Sequence, residues 1–238
     1  MLDLRQRGFS AEALPLIAIS AAPDRAALSA HRVQLADHAA AMFVSVNAVQ
    51  GFLSEPGWSW PHSTRAWATG PGTAVALVAA GVPIDLVDAP DPQAAQFDSE
   101  ALWVRVGASV RPGDQVLIVR GGGADGQPAG RDWLGSRLEA RGAKVKTAVA
   151  YVRDLPRWDA SQRAHAQASA RGGAWWLLSS SEGVDNLGRL VPGQDWAAAR
   201  ALCTHPRIAD AARAVGFGVV AVSRPGLDDI AAFLQSAQ

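Results

Sequence analysis

The sequence is poor in several residues on which common chemistries depend. Of its 238 residues only Cys203 is a cysteine, so no disulfide framework and no CxxC redox or zinc site can form within one chain. Lysine occurs only as Lys144 and Lys146, beside 20 arginines. Basic and acidic residues balance at 22 each, without the excess or stripe of positive charge that marks a nucleic-acid binder. No run approaches the ~18 uncharged apolar residues that span a membrane. The first eight residues also lack the apolar stretch of a secretion signal. The expectation is a soluble, cytoplasmic protein. Five histidines, His31, His38, His62, His165 and His205, show no HxH or HExxH spacing and read as surface or capping groups, not metal ligands. Tyr151 is the only tyrosine.

Apolar residues are plentiful, at 49% against 18% charged, enough for one large or two modest cores. Apolar runs at residues 14–19, 42–46, 116–119, 148–152, 175–178 and 219–222 read as buried strands. Between them lie Ala-, Leu- and Arg-rich stretches with helical spacing, such as 131–141 and 207–215. Strands alternating with helices predict α/β units around parallel sheets flanked by helices. Gly81, Gly142 and Gly216 follow these helices, where a left-handed cap suits glycine.

An internal repeat is more informative. An offset of 135 carries Ser45 to Ser180, Pro71 to Pro206 and Gly81 to Gly216, and places residues 14–19 on 149–154. A period this long means two similar domains rather than a solenoid. It also exposes a mismatch. The second copy opens with a strand, a Gly-rich turn and a helix across residues 115–138, whereas the first offers only residues 1–6, the tail of that helix. The expectation is an open slot beside a sheet, with a chain extended by about 20–30 upstream residues better folded and more active.

Gly121, Gly123 and Gly126 fit GxGxxG after a strand, but Gln127-Pro-Ala-Gly130 precedes the helix, which argues against a dinucleotide site. No GK[ST] follows, so a Walker loop is excluded. Ser45 and Asn47, and Ser179–Ser181, each follow a strand and open a helix. They can cap free helix N–H groups, bind anions at the same helix starts, or both. No GxSxG elbow surrounds Ser180. Asp88-Ala-Pro-Asp-Pro92 reads as turn chemistry, the tryptophans as packing groups, and Tyr151, from position alone, as a half-buried aromatic.

Several of these segments together resemble one family. They are Leu14-Pro-Leu-Ile-Ala-Ile19, Phe43-Val-Ser-Val-Asn-Ala-Val49, Gly70-Pro-Gly-Thr73, Phe97-Asp-Ser-Glu-Ala-Leu102, Val116-Leu-Ile-Val-Arg-Gly121, Gly130-Arg-Asp-Trp-Leu134, Tyr151-Val-Arg153, Leu178-Ser-Ser-Ser-Glu182 and His205-Pro-Arg-Ile208. In order and spacing they are similar to uroporphyrinogen-III synthases of the proteobacterial type. The family's usual first strand, ending in Thr-Arg-Pro, has no match here, and the turn from Gly121 to Gly130 is longer than usual. The resemblance implies two α/β domains, residues 1–22 with 156–238 and residues 27–150, with 23–26 and 151–155 as a two-stranded connector and a cleft between the domains. It implies dehydrating cyclisation of hydroxymethylbilane with inversion of the fourth pyrrole ring, without metal or organic cofactor. The implied protein is a monomer that meets the preceding enzyme of the pathway only transiently. Tyr151 matches the family's cleft tyrosine, a candidate donor to the leaving hydroxyl. Ser45, Asn47, Thr73, Arg120, Gly121, Ser180 and Thr204 fall on matching segments as candidate substrate binders. The alternative is a non-catalytic tetrapyrrole- or anion-binding module derived from such an enzyme.

Overall fold

In the computed structural model all residues are described except Met1, Pro56, Ala95, Arg131 and Gln238. The chain divides into two compact units: Ile19–Asp154, continuous in sequence, and Met1–Ala18 with Leu155–Gln238, discontinuous.

The continuous unit contains β1 (Ala18–Ala21), α2 (Arg25–Val33), β2 (Ala40–Phe43), α3 (Val46–Leu53), β3 (Arg65–Ala68), α4 (Pro71–Ala79), β4 (Val87–Asp88), α5 (Ser99–Val106), β5 (Gln115–Gly122), α6 (Trp133–Ala140) and β6 (Lys144–Asp154). Its sheet runs β1-β6-β5-β2-β3-β4, and the pairs from β6 through β4 are parallel. Side chains alternate across the strands and so serve two cores. Ala41, Phe43, Leu117 and Val119 face Leu28 of α2, Val49 and Phe52 of α3 and Leu77 of α4. Ala40, Met42, Val116 and Ile118 face Leu102 and Val106 of α5 and Leu134 and Leu138 of α6. Phe43 and Phe52 are fully buried and meet edge to face at 5.8 Å, a geometry that aromatic quadrupoles favour.

The discontinuous unit contains α1 (Leu2–Gln6), α7 (Ala160–Ser169), β7 (Trp175–Leu178), α8 (Ser181–Leu190), β8 (Arg200–Cys203), α9 (Pro206–Val215), β9 (Val219–Val222) and α10 (Leu227–Ser236). Its three strands are parallel, in the order β7-β8-β9. One face packs Trp176, Leu178, Ala201 and Cys203 on α7, α8 and α9. The other packs Leu202 and Trp175 on Leu4 of α1 and Ile230 and Phe233 of α10. Both units are therefore three-layered α/β structures with parallel sheets.

The repeat is structural. At the same offset of 135, β2 maps onto β7 and β3 onto β8 without a one-residue slip. Ser45 caps α3 and Ser180 caps α8, each side chain accepting from the N–H three residues on. Pro71 and Pro206 both open helices, and Gly81 and Gly216 have φ of 91° and 106°. The two sheets differ beside the matched strands. β2 lies between β5 and β3, whereas β7 has only β8 as a sheet neighbour among the described residues. A cavity of about 230 Å³ lies along β7, with Leu14, Leu16 and Ile17 on one side and Leu177, Leu178 and Ser180 on another.

Several expectations need correction. Residues 14–17 are not strand; β1 begins at Ala18, because Leu14 and Leu16 turn into the helical core of the discontinuous unit. The strand expected at 42–46 ends at Phe43, since Ser45 is already a helix cap. The helix expected over 131–141 begins at Trp133, and Arg131 lies outside the described residues. Within the segments expected as a two-stranded connector, Asp24 caps α2 and Tyr151–Asp154 complete β6. Asp88 is more than a turn residue, taking two hydrogen bonds from the Arg65 guanidinium at 2.8 and 2.7 Å. His38 is buried rather than superficial, 2% exposed, with Nδ1 2.9 Å from the Gln34 carbonyl.

His38 also bears on pH. Burial first, then the neighbouring His38 and Lys146, lower the His31 pKa from its ordinary 6.5. The unfolded chain then binds protons more readily than the folded one, so this contribution falls away as pH drops below 6.5. His31→Gln is expected to lessen the loss of thermal midpoint between about pH 7 and about pH 5.5, measured against the parent chain by calorimetry.

Candidate active site

The site in the continuous unit is built around an irregularity. β5 and β6 pair in step from Gln115↔Lys144 to Arg120↔Val149, and the register then shifts so that Gly121 faces Tyr151. One extra residue, Ala150, sits on β6. Such a bulge re-aims the side chains that follow it, and Ala148, Ala150 and Tyr151 all join the core beneath α3. Tyr151 is 6% exposed, so the half-buried reading understated its burial. Its hydroxyl lies 3.1 Å from Ser45 Oγ, and the same Ser45 oxygen accepts the Ala48 N–H at 3.2 Å.

Two glycines make room for this arrangement. A Cβ at Gly121 would lie 2.7 Å from the Tyr151 ring, closer than carbon atoms pack. A Cβ at Gly51 in α3 would run into the Ala150 carbonyl at the bulge. Backbone cannot yield as a side chain does, so Gly51→Ala should push α3 from β6. We expect a loss of about 3 kcal/mol, read from urea unfolding.

Arg120 precedes the shift and turns to the α6 side. It is 7% exposed, with Nη1 3.8 Å from Asp132 Oδ1. Burial is the largest influence on its pKa and lowers it; Asp132 opposes this and Arg153 adds to it. Asn47 lies in the first turn of α3, half-buried, and Thr73 in the first turn of α4, 6% exposed. Ser45, Gly121 and Tyr151 thus meet directly, with Arg120 adjacent in β5. α3 packs against both β6 and α4.

Ser180 and Thr204 belong to the discontinuous unit. Ser180 Oγ accepts the Gly183 N–H at 3.3 Å, and the Thr204 N–H donates to the Leu178 carbonyl at 3.1 Å, joining the ends of β7 and β8. His205, not Thr204, caps α9, its Nδ1 accepting the Arg207 N–H at 3.1 Å. Replacing Ser180 by Ala should therefore cost about 1 kcal/mol through the cap alone, measured by urea unfolding, whereas Thr204→Ala should cost less.

The Gly-rich turn has other duties. The N–H groups of Gly123, Gly126 and Ala129 donate to the carbonyls of Gln127, Gly123 and Gly121. These amides are consumed within the turn and do not form a phosphate cradle of the Rossmann kind. Burial pushes the Cys203 thiol up to about 11, which removes the thiolate that cysteine chemistry needs. Among the described residues no three His, Cys, Asp or Glu side chains are grouped to hold a metal ion, and no helix is long and apolar enough to cross a membrane.

Sequence reasoning passed over the approach of the Arg120 and Arg153 side chains to Gly130. The available signal was the alternation in Tyr151-Val-Arg153, which puts both long side chains on related positions of one strand.

The comparisons agree with this architecture. The model of a family described as uroporphyrinogen-III synthase HemD matches residues 2–232. The uroporphyrinogen-III synthase of Salmonella typhimurium is 29% identical over 227 residues, covering 92% of this chain and 87% of that protein. The solved uroporphyrinogen-III synthetase of Helicobacter pylori is similar with a TM-score of 0.64, at 15% identity over 97% of each chain. A mutant uroporphyrinogen III synthase of the extremely thermophilic bacterium Thermus thermophilus is similar with a TM-score of 0.57, at 20% identity, over 98% of this chain and 90% of that one. At these identities the two structures speak for the fold, while the family model spans every site residue named above. The chain belongs to the uroporphyrinogen-III synthase family.

Proposed function

We propose that this chain is a uroporphyrinogen-III synthase, closing hydroxymethylbilane with inversion of its fourth ring and release of water. Family membership over residues 2–232 carries the reaction class. The single structural observation that favours an enzyme over an inert binding module is the Tyr151–Ser45 pair, set at strand and helix ends and shaped by Gly121.

The chemistry makes few demands on side chains. Loss of the hydroxyl from hydroxymethylbilane leaves an electrophilic azafulvene. The terminal ring attacks it through its substituted carbon, and the spiro intermediate rearranges to the inverted macrocycle. Unguided closure gives the uninverted isomer, so the main task is to hold the substrate in one orientation. Its eight carboxylates suit arginines and helix starts. Arg120, Asn47 and Thr73 serve this role in one unit, with Ser180 and Thr204 in the other. Tyr151 assists departure of the hydroxyl. Ser45 Oγ accepts from Ala48 and can donate its own proton to the Tyr151 oxygen, which leaves the phenolic proton for the substrate.

Incubation with freshly made hydroxymethylbilane tests this reading. Enzyme-dependent loss of the substrate, with a cyclised tetrapyrrole as product, is expected. Tight binding of substrate without acceleration would instead identify the non-catalytic module.

A further inference from the structure

β7 is an edge strand with a second wall opposite it. Among the described residues its only sheet neighbour is β8, and a cavity of about 230 Å³ separates its other side from Leu14, Leu16 and Ile17. The offset of 135 shows what stands at this place in the continuous unit. It relates β2 to β7 and residues 149–152 of β6 to residues 14–17, and between β2 and β6 lies β5. Residues 116–119 of β5, Val-Leu-Ile-Val, pair in parallel with Ala40–Phe43. The Val44 N–H then donates to the Val119 carbonyl at 3.2 Å. Its counterpart, the Ser179 N–H, has no backbone acceptor among the described residues. The bond on the opposite side is kept in both units: the Thr69 N–H donates to the Phe43 carbonyl, and the Thr204 N–H to that of Leu178. Leu177 is 38% exposed, whereas Met42, which it matches, is 2% exposed.

We propose that the slot beside β7 is a docking site for one extended polypeptide segment of β5 character, four successive Val, Leu or Ile residues lying parallel to β7. A strand buried on both faces is apolar at every position rather than at alternate ones. Its backbone would pair with the open edge of β7, where polar main-chain groups otherwise lack a partner strand. Side chains at the positions of Leu117 and Val119, which face α3 in the continuous unit, would enter the cavity beside Ser180 and Gly183 of the α8 start. A second copy of the chain suits the slot poorly, since Leu14, Leu16 and Ile17 wall the far side and would bar the sheet behind its edge strand. The docked segment ends beside Ser180, the cap of α8, and so braces the helix start to which substrate binding is assigned above. Repeat and cavity carry this site whatever reaction the chain performs.

The test adds to the full chain a synthetic peptide with the sequence of residues 115–121, flanked by lysines for solubility. At about ten times its Kd the peptide should raise the thermal midpoint by about 3–6 °C. A peptide with aspartate at the positions of Leu117 and Val119 should leave the midpoint unchanged, since it would bring charge into the cavity. Register is read with Leu177→Cys, at an exposed position, while the native Cys203 is fully buried. Ile118 stands opposite Met42 in the continuous unit. A peptide with cysteine at the Ile118 position should therefore form the mixed disulfide with Leu177→Cys about tenfold faster than one with cysteine at the Gln115 position. No midpoint shift at about 1 mM peptide, an equal shift with the aspartate peptide, or disulfide rates indifferent to cysteine position would each overturn the docking site. A dimer that the peptide leaves intact, with Leu177→Cys cross-linking copy to copy, would also overturn it by assigning the slot to a second chain.

Discussion

Tyr151→Phe is expected to slow turnover of hydroxymethylbilane about 10–100-fold, the scale of one positioned proton donor. Only an oxygen is lost, and the ring keeps its place in the core beneath α3. The loss should therefore appear in kcat, with urea unfolding shifted by about 1 kcal/mol, the worth of the Ser45 hydrogen bond. Ser45→Ala separates the two contributions. It removes the helix cap and the partner of the phenol but leaves the phenolic proton, so it should destabilise more and slow turnover less. Full activity in Tyr151→Phe would remove the proton-donor role.

Gly121→Ala should be more damaging than the phenylalanine substitution. The added methyl would meet the Tyr151 ring at 2.7 Å, and the ring is hemmed in by the α3 side of the core. Either the ring leaves its site or β5 and β6 separate at their bulge. We expect a loss of about 2 kcal/mol in unfolding free energy together with a fall in kcat of about 100-fold or more. Combining Gly121→Ala with Tyr151→Phe distinguishes them from independent lesions. If the glycine acts through the tyrosine, the double variant should be hardly slower than Gly121→Ala alone, whereas independent effects would multiply.

Much of this architecture is legible in the chain because the repeat is written in residues with local jobs. Ser45 and Ser180, Pro71 and Pro206, and Gly81 and Gly216 are capping or turn residues, and they mark element ends regardless of tertiary packing. β3 and β8 escaped notice because Arg65-Ala-Trp-Ala68 and Arg200-Ala-Leu-Cys203 contain no β-branched residue, and their strand character comes from neighbours on both sides. Residues 14–17 misled for the opposite reason: Leu14 and Leu16 are apolar because they cover helical core, not because they pair in a sheet.

The site is less legible than the fold. Tyr151 stands out through its rarity and through family resemblance, but its meeting with Ser45 joins residues 106 positions apart. It also depends on one extra residue in β6. Alternation alone would send Ala150 and Tyr151 to opposite faces; the register shift after Arg120 brings both to the α3 side. The approach of Arg153 to Arg120 depends likewise on how the ends of β5 and β6 and the turn at Gly130 come together. Such convergence is a property of pairing and register, which no single segment encodes.

The most direct test of the account is the isomer composition of the product. Freshly prepared hydroxymethylbilane is incubated with and without the purified chain, the product is oxidised to porphyrin, and the isomers are separated by chromatography. Type III is expected as the major product with protein and type I without it. Type I in both samples, formed at the same rate, would contradict it.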